Sequence, residues 1–252
     1  MKMVQGVSKM LKGSGVDFIF GIPGGGSTAD LINGAEDEGI QFILTQHESS
    51  AAIMAGVVGD VTGVPGVCLS TLGPGALNLC NGLGHAWLDR SPVVALTDRY
   101  GSEMVDLAYR QKIDHNDLFK PFTKLSAGLT KTNWSEMLAR GFRMARMPRR
   151  GPVHIDFPND LSKVEIAGPG HGIGPEEFLP EANAKGIKLG SERIGRAKRP
   201  VAIVGLGINT AQGEVFGPLK SFVERFHIPT FKTGKAKGSL PDNHPWSLGV
   251  FM

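Results

Sequence analysis

Cysteine is nearly absent: 2 of the 252 residues, Cys68 and Cys80, with no CxxC pair between them. A chain of this length buries a core without staples, which excludes a minimal disulfide-held module, and the two cysteines fit buried free thiols in a reducing compartment, with a disulfide between them as the open alternative. No apolar run approaches the ~18 residues a spanning helix needs, so membrane insertion is excluded as a reading. A large excess of one charge is also missing. The net charge of +3 is too small to argue for nucleic acid or a membrane surface, and the basic stretches 140–150 and 193–199 contain Pro or Gly and read as surface helix and turn. The amino terminus lacks a signal-peptide pattern, because Gln5, Ser8 and Lys9 interrupt its apolar residues, and the cytoplasm is the expected location.

Catalytic signatures are thin as well. There is no GxSxG, and no Gly-Lys-Ser or Gly-Lys-Thr follows a glycine-rich loop. Gly205-Leu206-Gly207 lacks the third glycine of a dinucleotide fingerprint, since Thr210 stands in its place. The remaining histidines, His85, His115, His154, His171, His227 and His244, show no metal-ligand spacing with one another or with the cysteines, so no metal ligand is assigned. Asp114, His115 and Asp117 form a short polar cluster, a spacing common by chance.

What the chain has in excess is glycine, 35 residues with 16 prolines, without a collagen period or low-complexity tract. Many tight loops follow from that. Apolar periodicity predicts helix 4–12, strand 16–20, helix 29–38, strand 40–45, helix 50–61, strand 66–71, helix 76–88 and strand 92–97. A helix over 134–147 and a strand over 151–157 complete the pattern, with Ser27 or Thr28 expected to cap the second helix. Such alternation predicts an α/β fold, a mostly parallel sheet covered on both faces, with ligand groups beyond the carboxyl ends of the strands. Residues 1–166 form the first predicted domain, 167–190 a Gly/Pro/Glu-rich linker, and 191–252 the start of a second α/β domain of Rossmann-like type. In that second part Ser191 is expected to cap a helix, with strand 200–205, helix 215–226 and strand 229–232 after it.

Three loop positions carry the chemistry available. Glu48 follows His47 between an apolar strand and a helix of small residues, where a carboxyl shielded from water can carry a proton; a favourable partner for a helix dipole is the competing reading. Gly73-Pro74-Gly75 either lets a flat ligand approach the backbone or is only a strand-to-helix turn. Asn78, one turn later, either orients a polar ligand or caps the loop.

Taken in order, Phe20-Gly21-Ile22-Pro23-Gly24, Gln46-His47-Glu48, 59–66, Thr71 to Asn78, Asp89 to Leu96 and Gly151 to Pro158 resemble the thiamine diphosphate-dependent enzymes of the acetolactate synthase and 2-oxoacid decarboxylase family. The resemblance covers the family's pyrimidine-binding domain and, from 200–209, 234–238 and 242–245, the first part of its central domain. It implies a three-layer parallel-sheet fold in which Glu48 bonds to N1′ of the aminopyrimidine and favours the imino form that removes the thiazolium C2 proton. The cofactor then serves as electron sink for a 2-oxo acid. Pro23, Gly73, Pro74 and Asn78 match the family's pyrimidine-side positions, and Gln111 falls where synthase-like members carry an active-site glutamine, although Arg110 and Lys112 depart from the usual Phe and Glu. The adjacent His pair of simple pyruvate decarboxylases is missing, since Asn116 follows His115.

The family's Gly-Asp-Gly motif, which holds the diphosphate and Mg2+, is also missing: Gly59-Asp60 is followed by Val61. The resemblance therefore implies that the diphosphate and metal site lies on a domain outside these residues, that the active site forms between subunits of a homodimer or homotetramer, and that the piece alone is inactive. A split enzyme completed by a second polypeptide, or a non-catalytic α/β oligomerisation or binding module, are the alternatives. Nothing in the residues names the substrate or decides whether FAD binds.

Overall fold

A computed structural model describes residues 1–170, 183–208 and 215–251. The chain divides into two compact units, residues 1–178 and 179–252, considered separately below.

In the first unit the chain runs α1 (Met3–Gly13), β1 (Phe18–Gly21), α2 (Ser27–Asp37), β2 (Gln41–Leu44), α3 (Glu48–Thr62), β3 (Gly66–Ser70), α4 (Pro74–Asp89), β4 (Val93–Arg99), α5 (His115–Phe119), β5 (Ser126–Gly128), α6 (Trp134–Arg146) and β6 (Val153–Pro158). Six strands form one sheet in the order β2-β1-β3-β4-β6-β5, and every pairing is parallel. Because side chains alternate along a strand, each strand feeds two cores. Val67, Leu69, Val94, Leu96, Val153, Ile155 and Phe157 face α1, α2 and α6, whereas Cys68, Val93 and Ala95 face α3, α4 and α5. Fully burying a side chain such as Leu79, Leu83 or Phe142 stabilises the fold by about 1.5–3 kcal/mol each.

The helices start earlier than the apolar period predicts. α3 opens at Glu48 instead of 50, and α4 at Pro74 instead of 76, since proline is well suited to a helix's first turn. α2 opens at Ser27, and its cap is a correction: Gly26 occupies the N-cap position without a side chain, and Asp98, at the end of β4, accepts from the Ser27 N–H (3.3 Å) and hydroxyl (2.7 Å). A cap supplied across 71 residues leaves no local sequence signal. α5 and β5, in the stretch read as irregular, are too short to show a period.

α3 and α4 approach closely because their contact is built from Ala52, Ala55, Ala76 and Gly82. A Cβ at Gly82 would lie 2.5 Å from the Ser49 carbonyl oxygen, so only glycine fits that crossing. This contact brings the first turns of both helices together.

The second unit carries α7 (Ala184–Arg196), β7 (Ala202–Val204), α8 (Phe216–Phe226), β8 (Thr230–Lys232) and β9 (Ser247–Val250), with a parallel sheet β7-β8-β9. α7 begins inside the stretch read as linker and is capped by Asn183, whose Oδ1 accepts from the Lys185 and Gly186 N–H groups; Ser191, the expected cap, lies within the helix. Residues 171–182 of that linker, with His171, and Thr210 of the incomplete fingerprint lie outside the described residues. Lys232 is fully buried and donates to the Leu240 carbonyl (2.8 Å) and Ser247 Oγ (3.0 Å), which ties the 240–247 segment to β8. No helix among the described residues is long and apolar enough to cross a membrane.

Candidate cofactor site

From β1 the chain moves outward to β2, then returns across β1 to β3, so the strand order reverses between β1 and β3. Ligands of open parallel sheets bind outside the carboxyl ends at such a reversal. Three loops meet this edge: 22–26 after β1, 45–47 after β2 and 71–73 after β3. The first and third touch, since a Cβ at Gly24 would sit 2.5 Å from Thr71 Cβ.

Glu48 is the first residue of α3 and is only 7% exposed. His47 precedes it as N-cap, its Nδ1 accepting from the Ser49 N–H at 3.1 Å, which agrees with a hydrogen-bonding role for His47. Across the α3–α4 contact, Asn78 Nδ2 donates to Glu48 Oε2 at 3.0 Å, and Ser49 Oγ donates to the Asn78 carbonyl at 2.6 Å. Oε1 faces the turn that starts α4: a Cβ at Gly75 would lie 3.2 Å from it. The structure thus gathers Glu48, Asn78 and the Gly73–Gly75 turn, three of the positions singled out from sequence.

Gly73 has φ +65°, a left-handed conformation open to glycine, and a Cβ there would meet Gln111 Cβ and the Gln111 carbonyl at 2.7 Å. Gln111 itself is left-handed (φ +55°), so two unusual backbones press together and carry Gln111 to the same turn. Its side chain is exposed and borders a cleft of about 220 Å³, lined also by Leu72, Arg99, Tyr100, Lys112 and His115. Pro74 is exposed at the turn, and Pro23 is exposed on the loop after β1, with no contact to Glu48 among those described.

Sequence reasoning missed what lies beneath the turn. His154 and Asp156 occupy the face of β6 that looks toward α5, and Thr97 the same face of β4 beside them. His115 Nδ1 is 2.6 Å from Asp156 Oδ1, the Thr97 hydroxyl donates to the same oxygen at 2.7 Å, and His154 Nε2 is 2.7 Å from Thr97 Oγ1. Ser126 Oγ lies 2.8 Å from His154 Nδ1, and the Phe119 ring stacks on His154 at 4.1 Å. Ligating atoms of His115, His154 and Asp156 fall within 4.8 Å of one another, a grouping that linear spacing did not reveal, with Asp156 Oδ1 engaged by His115 and Thr97 and His154 Nε2 by Thr97. Asp114, by contrast, caps α5 by accepting from the Asp117 N–H (3.1 Å), so the polar trio 114/115/117 is a helix cap plus one buried ring. The alternation His-x-Asp within an apolar strand was the available signal.

Burial opposes the charge of Asp156, but hydrogen bonding to His115 and His154 outweighs it and holds the carboxyl well below its ordinary range. Burial pushes the His154 ring below its ordinary value, Asp156 only partly restoring it. Asp98 is pushed up by burial against the hydrogen bonds from Ser27.

A parallel α/β sheet with a shielded carboxyl at its strand reversal defines the class: an α/β cofactor-binding domain joined to a second α/β unit. Residues 1–118 match the family model "Thiamine pyrophosphate enzyme, N-terminal TPP binding domain", and residues 190–252 match the central domain of the same enzymes. The chain belongs to the thiamine pyrophosphate enzyme family. It is 36% identical to a probable acetolactate synthase large subunit of Methanocaldococcus jannaschii, over 99% of this chain and 43% of that protein. A probable 2-ketoarginine decarboxylase of Pseudomonas aeruginosa is 32% identical over 98% of this chain and 44% of its own length. For the acetolactate synthase large subunit of Corynebacterium glutamicum the figures are 31%, 99% and 40%. The chain therefore spans about two fifths of the relatives it matches.

Proposed function

We propose that this chain supplies the pyrimidine-side half of a thiamine diphosphate site in a 2-oxo acid decarboxylase or carboligase of the acetolactate synthase kind. The observation that carries this reading is the buried Glu48 carboxyl, held at Oε2 by Asn78 and presented by Oε1 beside Gly75. The residues suit a flat, nitrogen-bearing ring: a carboxyl offers a proton-sharing oxygen, and a glycine turn lets the ring approach the backbone. The cofactor, when bound, supplies the electron sink that lets a 2-oxo acid lose carbon dioxide. Glu48 would share a proton with the ring nitrogen, Asn78 orients Glu48, and the Gly73–Gly75 turn with Pro74 and Pro23 would line the pyrimidine side. Gln111, bordering the neighbouring cleft, is placed to contact substrate.

We assign the diphosphate and its Mg2+ to residues outside this chain, because its sequence has no Gly-Asp-Gly motif. A homodimeric or homotetrameric assembly fits the exposed apolar residues along the two helices that open at the site, Ile53, Val57 and Val61 on α3 and Leu77 and Leu88 on α4. The free thiols Cys68 and Cys80 favour the cytoplasm. The test is a preparation in which a diphosphate-binding domain is present, in the same or a second polypeptide. It should bind thiamine diphosphate with Mg2+ and release carbon dioxide from a 2-oxo acid, and Glu48→Gln should abolish most of that turnover. Full turnover in the variant overturns the reading.

A further inference from the structure

Under the Gly73–Gly75 turn, the Gly73 N–H points at His115 Nε2, 3.4 Å away. A bond of that length is weak alone and depends on how firmly its acceptor is held. His115 is held firmly. It is 4% exposed, its Nδ1 faces Asp156 Oδ1 at 2.6 Å, and Phe119 packs edge-on against its ring. An ionised carboxylate only accepts, so Nδ1 carries the proton and Nε2 is left as an acceptor for Gly73. Asp156 is fixed in turn by Thr97 on the adjoining strand, with Arg99 Nη1 3.6 Å from its second oxygen.

We propose that His115 is a positioning residue of the cofactor site, its ring set by Asp156 so that Nε2 holds the left-handed Gly73 and thereby places the Gly73–Gly75 turn against Glu48. The inference rests on the functional reading above only in what the turn is for; the linkage itself is a property of this chain. It also accounts for Asp156, a carboxyl buried in a strand otherwise devoted mostly to packing. Pairing with Asp156 alone requires only the proton on Nδ1, whereas the contact with the Gly73 N–H requires in addition that Nε2 stay bare.

The experiment has two readouts on the 252-residue chain and one on the cofactor-competent preparation. Long-range 1H–15N correlation of the histidine ring should show His115 protonated at Nδ1 with Nε2 bare; a proton on Nε2 overturns the proposal, and this arm needs no variant. Amide exchange at Gly73 should quicken about tenfold or more in His115→Phe, which keeps a ring but neither nitrogen. His115→Gln, which has both a donor and an acceptor, should restore it to within about threefold. Unchanged Gly73 protection in a Phe variant whose β3 and β4 amides stay protected overturns the proposal. With thiamine diphosphate, the Phe variant should bind at least about tenfold more weakly and the Gln variant near the parent; equal binding by the Phe variant overturns the link to the cofactor. If the unmutated cofactor-competent preparation binds none, the functional reading fails while the ring and amide results still decide the role of His115.

Discussion

Asn78 Nδ2 donates to Glu48 Oε2 across 3.0 Å, joining the second turn of α4 to the first residue of α3. The bond exists because the two helices cross where Gly82 meets Ser49 and Ala52, a contact with no room for a side chain. Helix packing therefore decides where the carboxyl sits.

Glu48→Gln should lower turnover of the cofactor-competent preparation by about 10²–10⁴-fold, the usual contribution of a positioned acid–base group. Its cost in stability should be at most about 1 kcal/mol, the value of an acidic group at a helix start. Steady-state kinetics beside a urea titration separates the two effects.

Gly82→Val should separate α3 from α4 and destabilise the first unit by about 1–3 kcal/mol, as overpacking does. Where the variant folds, it should weaken cofactor binding through displacement of Asn78. Denaturant midpoints and calorimetric binding report on each.

Gly73→Ala adds a Cβ to a left-handed backbone and drives it toward Gln111. The expected loss is about 1–3 kcal/mol, the cost of a residue held in a sparsely populated conformation. Thermal unfolding should register it, while Gly25→Ala, at a position with open space around the added carbon, should lose less.

Burial holds His154 below its ordinary value, so under mild acid the unfolded chain takes up a proton that the folded chain refuses. His154 thus favours the folded state fully above about pH 6.5, the ordinary histidine value, and that contribution drains as pH falls from there toward the folded-state pKa. A single proton difference gives a slope of at most about 1.4 kcal/mol per pH unit. His154→Gln should be less stable at pH 7.5 yet show a shallower decline between pH 7 and 5. Urea unfolding at four pH values provides the check.

Burial pushes the Cys68 thiol up to about 12, and it lies on β3 out of reach of solvent. In the native chain a thiol reagent should modify Cys80 first, slowly because partial burial also raises that thiol. Cys68 should react only on unfolding, as mass spectrometry of timed samples will show.

Much of this was readable in advance. The alternation of glycine-broken strands and helices announced the parallel sheet, and the motif order around Glu48, Gly73 and Asn78 pointed to the family and to the residues that converge. What escaped were features created by distance along the chain. Asp98 caps α2 from another strand, and His115 finds Asp156 across 41 residues. Each looks from its neighbours like an ordinary polar residue. β5 and α5 escaped for a different reason: elements of three and five residues are too short to carry a period, and tertiary contacts define them.

Asp98 and Asp156 stand at the ends of adjacent strands, and the α2 and α4 turns hang from them, one through Ser27 and the other through His115. The segment 102–110, which covers part of the neighbouring cleft, takes no share in that suspension. That segment can therefore be recut to reshape the mouth of the cleft while the framework behind it keeps its shape.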